Sequence, residues 1–102
     1  MDKAVLDISE LQENAANASN LLKVMANPSR LMILCQLLEG EKPVHELQEQ
    51  VGLSQSALSQ QLAVLRKAEL VSTRRDAQKI YYRLASKEAE IMIGTLYELY
   101  CA

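Results

Sequence analysis

The groups in this chain with chemistry to offer are two thiols, one imidazole, and a set of cations interleaved with uncharged polar side chains. Cys35 and Cys101 lie far apart in the sequence. In a reducing compartment such a pair stays as free thiols rather than a structural disulfide, and if it has a role, that role is as reactive thiols. By residue pattern alone Cys35 is a core cysteine on an apolar stripe and Cys101 a tail residue. An apolar setting and a helix C-terminus both disfavour a thiolate. His45 is the single histidine, followed by Glu46. A zinc site wants about four converging ligands, and one imidazole beside one carboxylate falls short. No metal or other cofactor is expected, and His45 reads as a surface residue.

The polar and cationic residues are more informative. Ser54 suits a helix N-cap, and Leu58, Leu62 and Leu65 follow at spacings of four and three, which predicts a helix to about Ala68 with a leucine stripe turned inward. On the other side, Ser56, Gln60 and Lys67 point away from that stripe while Gln55 and Ser59 flank it. The first two turns are therefore polar and uncharged, able to donate to and accept from base edges. Cations follow. From Ser54 to Lys87 there are seven basic residues against two acids, a local net of +5 within a chain of net −2, which leaves −7 on the remainder. An acidic body carrying one basic module points to a polyanion that approaches one face only.

The elements that must position these groups can be read from periodicity. Leu11, Ala15, Ala18, Leu22 and Met25 predict a first helix from about Ser9 to Ala26, with a narrow seam that suits either a partner helix or ordinary core packing. The opening seven residues are read as disordered. Asn27-Pro28 starts a second helix, with Leu31, Leu34, Cys35 and Leu38 as its buried stripe and Gly40 as its end. A short third helix opens near Pro43 with Val44, Leu47 and Val51 on one face, and Gly52 breaks it. After the fourth helix the period becomes two. Val71 and Thr73 alternate before a turn at Asp76-Ala77-Gln78, and Ile80, Tyr82 and Leu84 alternate after it. This predicts a two-stranded hairpin with Ile80, Tyr82 and Leu84 facing the domain. A last helix from Ser86 to Tyr100 presents Ala89, Met92, Ile93, Leu96, Leu99 and Tyr100, a face broad enough to need a partner.

With 102 residues, 49% of them hydrophobic, the chain suits a single domain spanning 1–102, with little room for a deep substrate cavity beside its core. No segment approaches the roughly 20 apolar residues of a membrane span, and Met1 to Glu10 carries acids rather than a basic start and an apolar run, so no membrane partner and a cytoplasmic location are expected. There is no glycine-rich phosphate loop and no nucleophile motif, which argues against an enzyme. The order of elements is that of a mainly α winged helix-turn-helix: four helices, a β-hairpin wing and a final helix. The fourth helix would enter the major groove of double-stranded operator DNA through Ser54, Gln55, Ser56, Ser59 and Gln60. Arg66, Arg74, Arg75, Gln78 and Lys79 would reach the backbone or the neighbouring minor groove, Arg75 foremost. A winged helix that binds only protein is the alternative from another class, against which the clustered cations argue.

Three stretches also resemble the ArsR/SmtB family of bacterial winged-helix repressors: Leu21 to Leu31 (LLKVMANPSRL), Leu53 to Leu62 (LSQSALSQQL) and Arg75 to Tyr82 (RDAQKIYY). The resemblance runs from Leu21 to Cys101 and departs from the family's pattern at Gln61, where histidine is usual. It implies a homodimer formed through the first and last helices, with Ser54, Gln55, Ser56, Ser59 and Gln60 facing DNA. The cysteines are similar to the thiol pair of the BigR/SqrR/HlyU branch. That similarity implies a Cys35/Cys101 dithiol that takes sulfur from low-molecular-weight persulfides, forms a disulfide or polysulfide, and releases operator DNA. An anti-silencing activator of the HlyU kind is the alternative within the branch.

Overall fold

A computed structural model describes residues 7–101. The segment expected to be disordered lies outside them, apart from Asp7. The order is α1 (Ile8–Met25), α2 (Pro28–Leu37), β1 (Lys42–Pro43), α3 (Val44–Val51), α4 (Gln55–Lys67), β2 (Val71–Asp76), β3 (Lys79–Leu84) and α5 (Lys87–Tyr100). Local chemistry sets most boundaries. Side-chain oxygens of Asp7, Asn27, Ser54 and Ser86 each accept an amide three residues on, capping α1, α2, α4 and α5. Pro28 opens α2, where its missing N–H costs nothing.

Helix α4 ends in a complete Schellman motif. The Leu70 amide donates to the Leu65 carbonyl and the Glu69 amide to the Arg66 carbonyl, both at 3.0 Å. Leu65 and Leu70 are both buried beneath this turn. The residue that must turn left-handed there is Glu69, at φ 63°, a position that favours glycine.

The sheet corrects the sequence reading. A third strand was not foreseen: β1, only two residues long, pairs with β3 on the edge opposite β2, in the order β1-β3-β2. The third helix accordingly begins one residue after Pro43, which belongs to β1. Two residues are too few to show an alternating pattern, so their strand character depends entirely on β3 lying alongside. The register is antiparallel throughout, with Lys42 opposite Tyr82, Pro43 opposite Tyr81, and Arg74 opposite Tyr81 on the other side.

Ile33, Leu34 and Leu37 of α2, Leu47 of α3, Leu58, Leu62 and Leu65 of α4, and Ala89 and Ile93 of α5 make the core. The buried arc of α2 is thus rotated from the expected one. Leu34 is buried as expected, while Leu31, Cys35 and Leu38 sit half-buried on its flank because Ile33 and Leu37 take the centre of the bundle. On α5 the expected apolar face is only partly used, since Leu99 and Tyr100 are exposed. The α1 seam is not packed within the subunit. Met25 is buried, whereas Leu11, Ala15, Ala18 and Leu22 face outward.

Candidate nucleic-acid interface and thiol cleft

Ser54, Gln55, Ser56, Ser59 and Gln60 are all exposed along one side of α4. The leucine stripe anchors the opposite side, so this polar face is presented rigidly. Gln61 is placed differently. It is half-buried, and its carbonyl oxygen accepts from Nη1 of Arg30 at 2.9 Å. Nε of the same guanidinium donates to the Val24 carbonyl. Arg30 therefore ties the end of α1 and the start of α2 to the middle of α4. Gln61, read from the sequence as a departure from the family's pattern, thus serves here as the acceptor of this bond.

The wing stands beside α4 with two clefts between them. One, of about 350 Å³, lies between α3, the start of α4 and the wing tip, and is walled by His45, Gln48, Gln55, Gln78 and Lys79. The other, of about 540 Å³, runs along the later turns of α4 past Ser59, Arg66 and Lys67 to Ile80 and Tyr82. Ile80 was expected to face the domain with Tyr82 and Leu84. The last two pack on the core, but Ile80 is exposed, because it borders both clefts, where α3 and α4 do not close on it. His45 is exposed, as expected, and stands on the wall of the first cleft, a placement the sequence did not signal.

Arg74 and Arg75 point to opposite faces of the wing, as neighbours in a strand must. Arg75 pairs with Ile80, on the face turned toward α4. Among the described residues no acid lies within ion-pair distance of it. Arg74 is on the outer face, bonded to Glu41 through Nε at 2.7 and 2.9 Å and through Nη2 at 2.7 Å. Its guanidinium carbon also lies 4.4 Å from the centre of the Tyr81 ring. The hydrogen bond from Arg74 holds the Glu41 carboxyl below its ordinary range. The sequence reading missed Glu41 altogether, because its partner comes from a distant strand.

The two cysteines belong to α2 and to the end of α5, helices that pack on one another. Cys35, half-buried on α2, lines a cleft of about 290 Å³ with Gln36, Leu38, Glu39 and Tyr97. Cys101 caps α5 and is exposed, its amide donating to the Tyr97 carbonyl at 2.8 Å. Residues four apart share a helix face, so Cys101 stands one turn beyond the tyrosine that walls the cleft. Burial pushes the Cys35 thiol up, and the nearby Cys101 thiolate pushes it further. Both cysteines are free. Among the described residues no three His, Cys, Asp or Glu side chains converge as metal ligands, and no helix is long and apolar enough to cross a membrane.

Residues 27–73, from the start of α2 into the wing, match the model of the arsR family of bacterial regulatory proteins. Over 98 residues, 96% of this chain and 91% of the relative, the sequence is 51% identical to the transcriptional activator HlyU of Vibrio cholerae serotype O1. The chain belongs to the ArsR family. It is a transcriptional regulator with a winged-helix fold, and solved structures of relatives superpose closely on it. Reduced HlyU from Vibrio cholerae N16961 aligns with a TM-score of 0.89 at 52% identity, covering 93% of this chain and all of that one (100%). The transcriptional repressor BigR from Xylella fastidiosa aligns with a TM-score of 0.85 at 42% identity, covering 95% and 99%. These ArsR-family relatives include both an activator and a repressor of transcription.

Proposed function

We propose that this ArsR-family regulator is a dimeric repressor that binds operator DNA while its thiols are reduced and releases it when persulfide sulfur links Cys35 to Cys101. Members of the family bind DNA and are typically dimers. The outward α1 seam and the exposed end of α5 are the apolar surfaces such a dimer needs. Ser54, Gln55, Ser56, Ser59 and Gln60 would read base edges in the major groove. Arg66, Arg75, Gln78 and Lys79 would meet the backbone or the minor groove, while Arg74, held by Glu41 on the wing's outer face, would act through the hairpin rather than on phosphate.

The observation that supports the thiol reading is the packing of α2 against α5, which sets Cys35 in a cleft walled by Tyr97, whose carbonyl accepts from the Cys101 amide. The chemistry balances without a further oxidant. One cysteine thiolate attacks the outer sulfur of a persulfide RSSH, expelling RS⁻ and forming a protein persulfide. The second thiolate attacks the inner sulfur, expelling HS⁻ and leaving a disulfide. Each added sulfur from another persulfide lengthens the bridge, and a direct disulfide needs Cα atoms within about 7 Å while longer bridges span more. Tethering α2 to α5 shifts the dimer interface and moves the two α4 helices off the spacing of about 34 Å that two half-sites demand.

Intact mass and operator affinity before and after persulfide treatment test this on wild type and Cys35→Ser. The expected result is a loss of two hydrogens, alone or together with a gain of whole sulfur atoms, in wild type only, and weaker binding. An unchanged wild-type mass or unchanged affinity overturns it. The identity to the activator HlyU favours a second reading, in which the same switch displaces a silencing protein from promoters. A transcription assay with and without such a protein separates the two.

A further inference from the structure

Beside the α4 face and the thiol cleft, the structure contains a charged network that neither of those sites uses. The link from α2 to β1 carries Glu39, Glu41 and Lys42. Lys42 is 8% exposed, and its ammonium lies 2.9 Å from Glu39 and 3.6 Å from Glu46. Those bonds seat β1 on the body of the domain, and β1 in turn pairs with β3. Strand parity then decides where Glu41 points. Pro43 faces Tyr81 across the ladder, and Glu41, two residues earlier, shares that face. Continued by two residues, the same register sets Glu41 opposite Arg83, whose charge also favours the Glu41 carboxylate. Arg74 approaches the same face from β2, crosses the Tyr81 ring and reaches Glu41 with two nitrogens. The pair therefore spans β3 from one neighbouring strand to the other.

We propose that Glu41 is a positioning residue for DNA binding: through Arg74 it straps the wing to the α2–β1 link and so holds Arg75 toward the groove beside α4. The inference rests on the reading of the wing as a DNA-contacting element. Two facts make the strap more than a surface ion pair. Its geometry is bidentate and stacked, the form in which an exposed arginine pair holds a fixed direction. It also closes the free side of a hairpin whose tip has no core beneath it. Arg74 is then spent on an acid rather than on phosphate, while Arg75 on the other face stays available.

The consequence has an unusual sign. Removing an acid from a protein that binds a polyanion ordinarily strengthens binding. Here Glu41→Gln should weaken it by roughly two- to fivefold at physiological salt, the span that exposed ion pairs support. Slopes of affinity against salt should stay as steep as in wild type or become steeper, because no phosphate contact is lost. The probe is an operator duplex selected by the wild-type protein from a random-sequence library. Arg74→Glu should bind poorly, and the exchanged pair Glu41→Arg with Arg74→Glu should recover affinity, which a direct contact between Arg74 and phosphate does not allow.

Amide exchange of residues 79–84, measured without DNA, should quicken in Glu41→Gln and return toward wild type in the exchanged pair. Glu41→Gln binding as tightly as wild type or more tightly overturns the proposal, as does an exchanged pair no better than Arg74→Glu alone. Failure of the wild type to select any duplex would instead overturn the DNA-binding reading beneath it, while the exchange measurement still reads the strap.

Discussion

Arg75→Ala removes a cation that the structure leaves exposed, unpaired among the described residues, and on the wing face turned toward α4. In a two-fold assembly the substitution is made twice. If each copy neutralises one phosphate, the complex forms with two fewer released counterions. At a slope of about 0.9 per phosphate on B-form DNA, the plot of log affinity against log salt flattens by about 1.8. Between about 50 mM and about 200 mM salt, the ratio of wild-type to variant affinity should therefore shrink roughly twelvefold, since a fourfold change in salt is raised to that power. Fluorescence anisotropy of the selected duplex at several salt concentrations measures this directly. Arg74→Ala is the internal control: its charge is already matched by Glu41, so its slope should move by less than half as much. An unchanged slope for Arg75→Ala, or an equal change for both arginines, would refute the assignment of the two wing faces.

Three further outcomes follow from the packing and the thiols. The Cys35 thiol is raised by burial and by the Cys101 thiolate, so its alkylation rate should still be climbing above about pH 8.5, where an ordinary thiol is half ionised. Cys101→Ser should move that curve to lower pH, and a curve that stays in place would mean the thiols do not sense one another. Glu69→Gly replaces a side chain held at φ 63°. It should stabilise by about 0.5 kcal/mol, a left-handed penalty of about 1 kcal/mol less the added freedom of the unfolded chain, seen as a rise of roughly 2–4 °C in Tm at fixed protein concentration. A lowered Tm would show that the Glu69 side chain makes a contribution larger than its strain. Leu47→Ala empties a fully buried site where α3 meets the core (0% exposed) and should cost about 2–5 kcal/mol in urea unfolding. A loss under about 1 kcal/mol would mean that α3 is not held by that contact.

Helices whose ends carry their own chemistry could be read from the chain alone. The caps at Asn27 and Ser54, the proline at the start of α2 and the leucine stripe of α4 act over three or four residues, so adjacent sequence contains both partners of each interaction. The polar face from Ser54 to Gln60 was readable for the same reason: once the buried side of a helix is known, the exposed side is determined. Strand alternation likewise located the hairpin. What the sequence could not contain was any pairing between distant segments. The two-residue β1 has no pattern of its own and is a strand only because β3 lies beside it. Glu41 and Arg74 are unremarkable charges until the sheet order brings them to one face. The α2 stripe turned by about one residue because the bundle, not the helix, chose between Ile33 and Leu31. Ile80 keeps its alternation yet stays exposed, since periodicity tells which side a residue takes and not whether anything waits there to cover it. The two cysteines belong to the same class. Their residue types give two thiols, but only the packing of α2 against α5 brings Cys35 to the cleft beside Tyr97, one turn before Cys101, because burial and long-range contact are properties of the assembled chain.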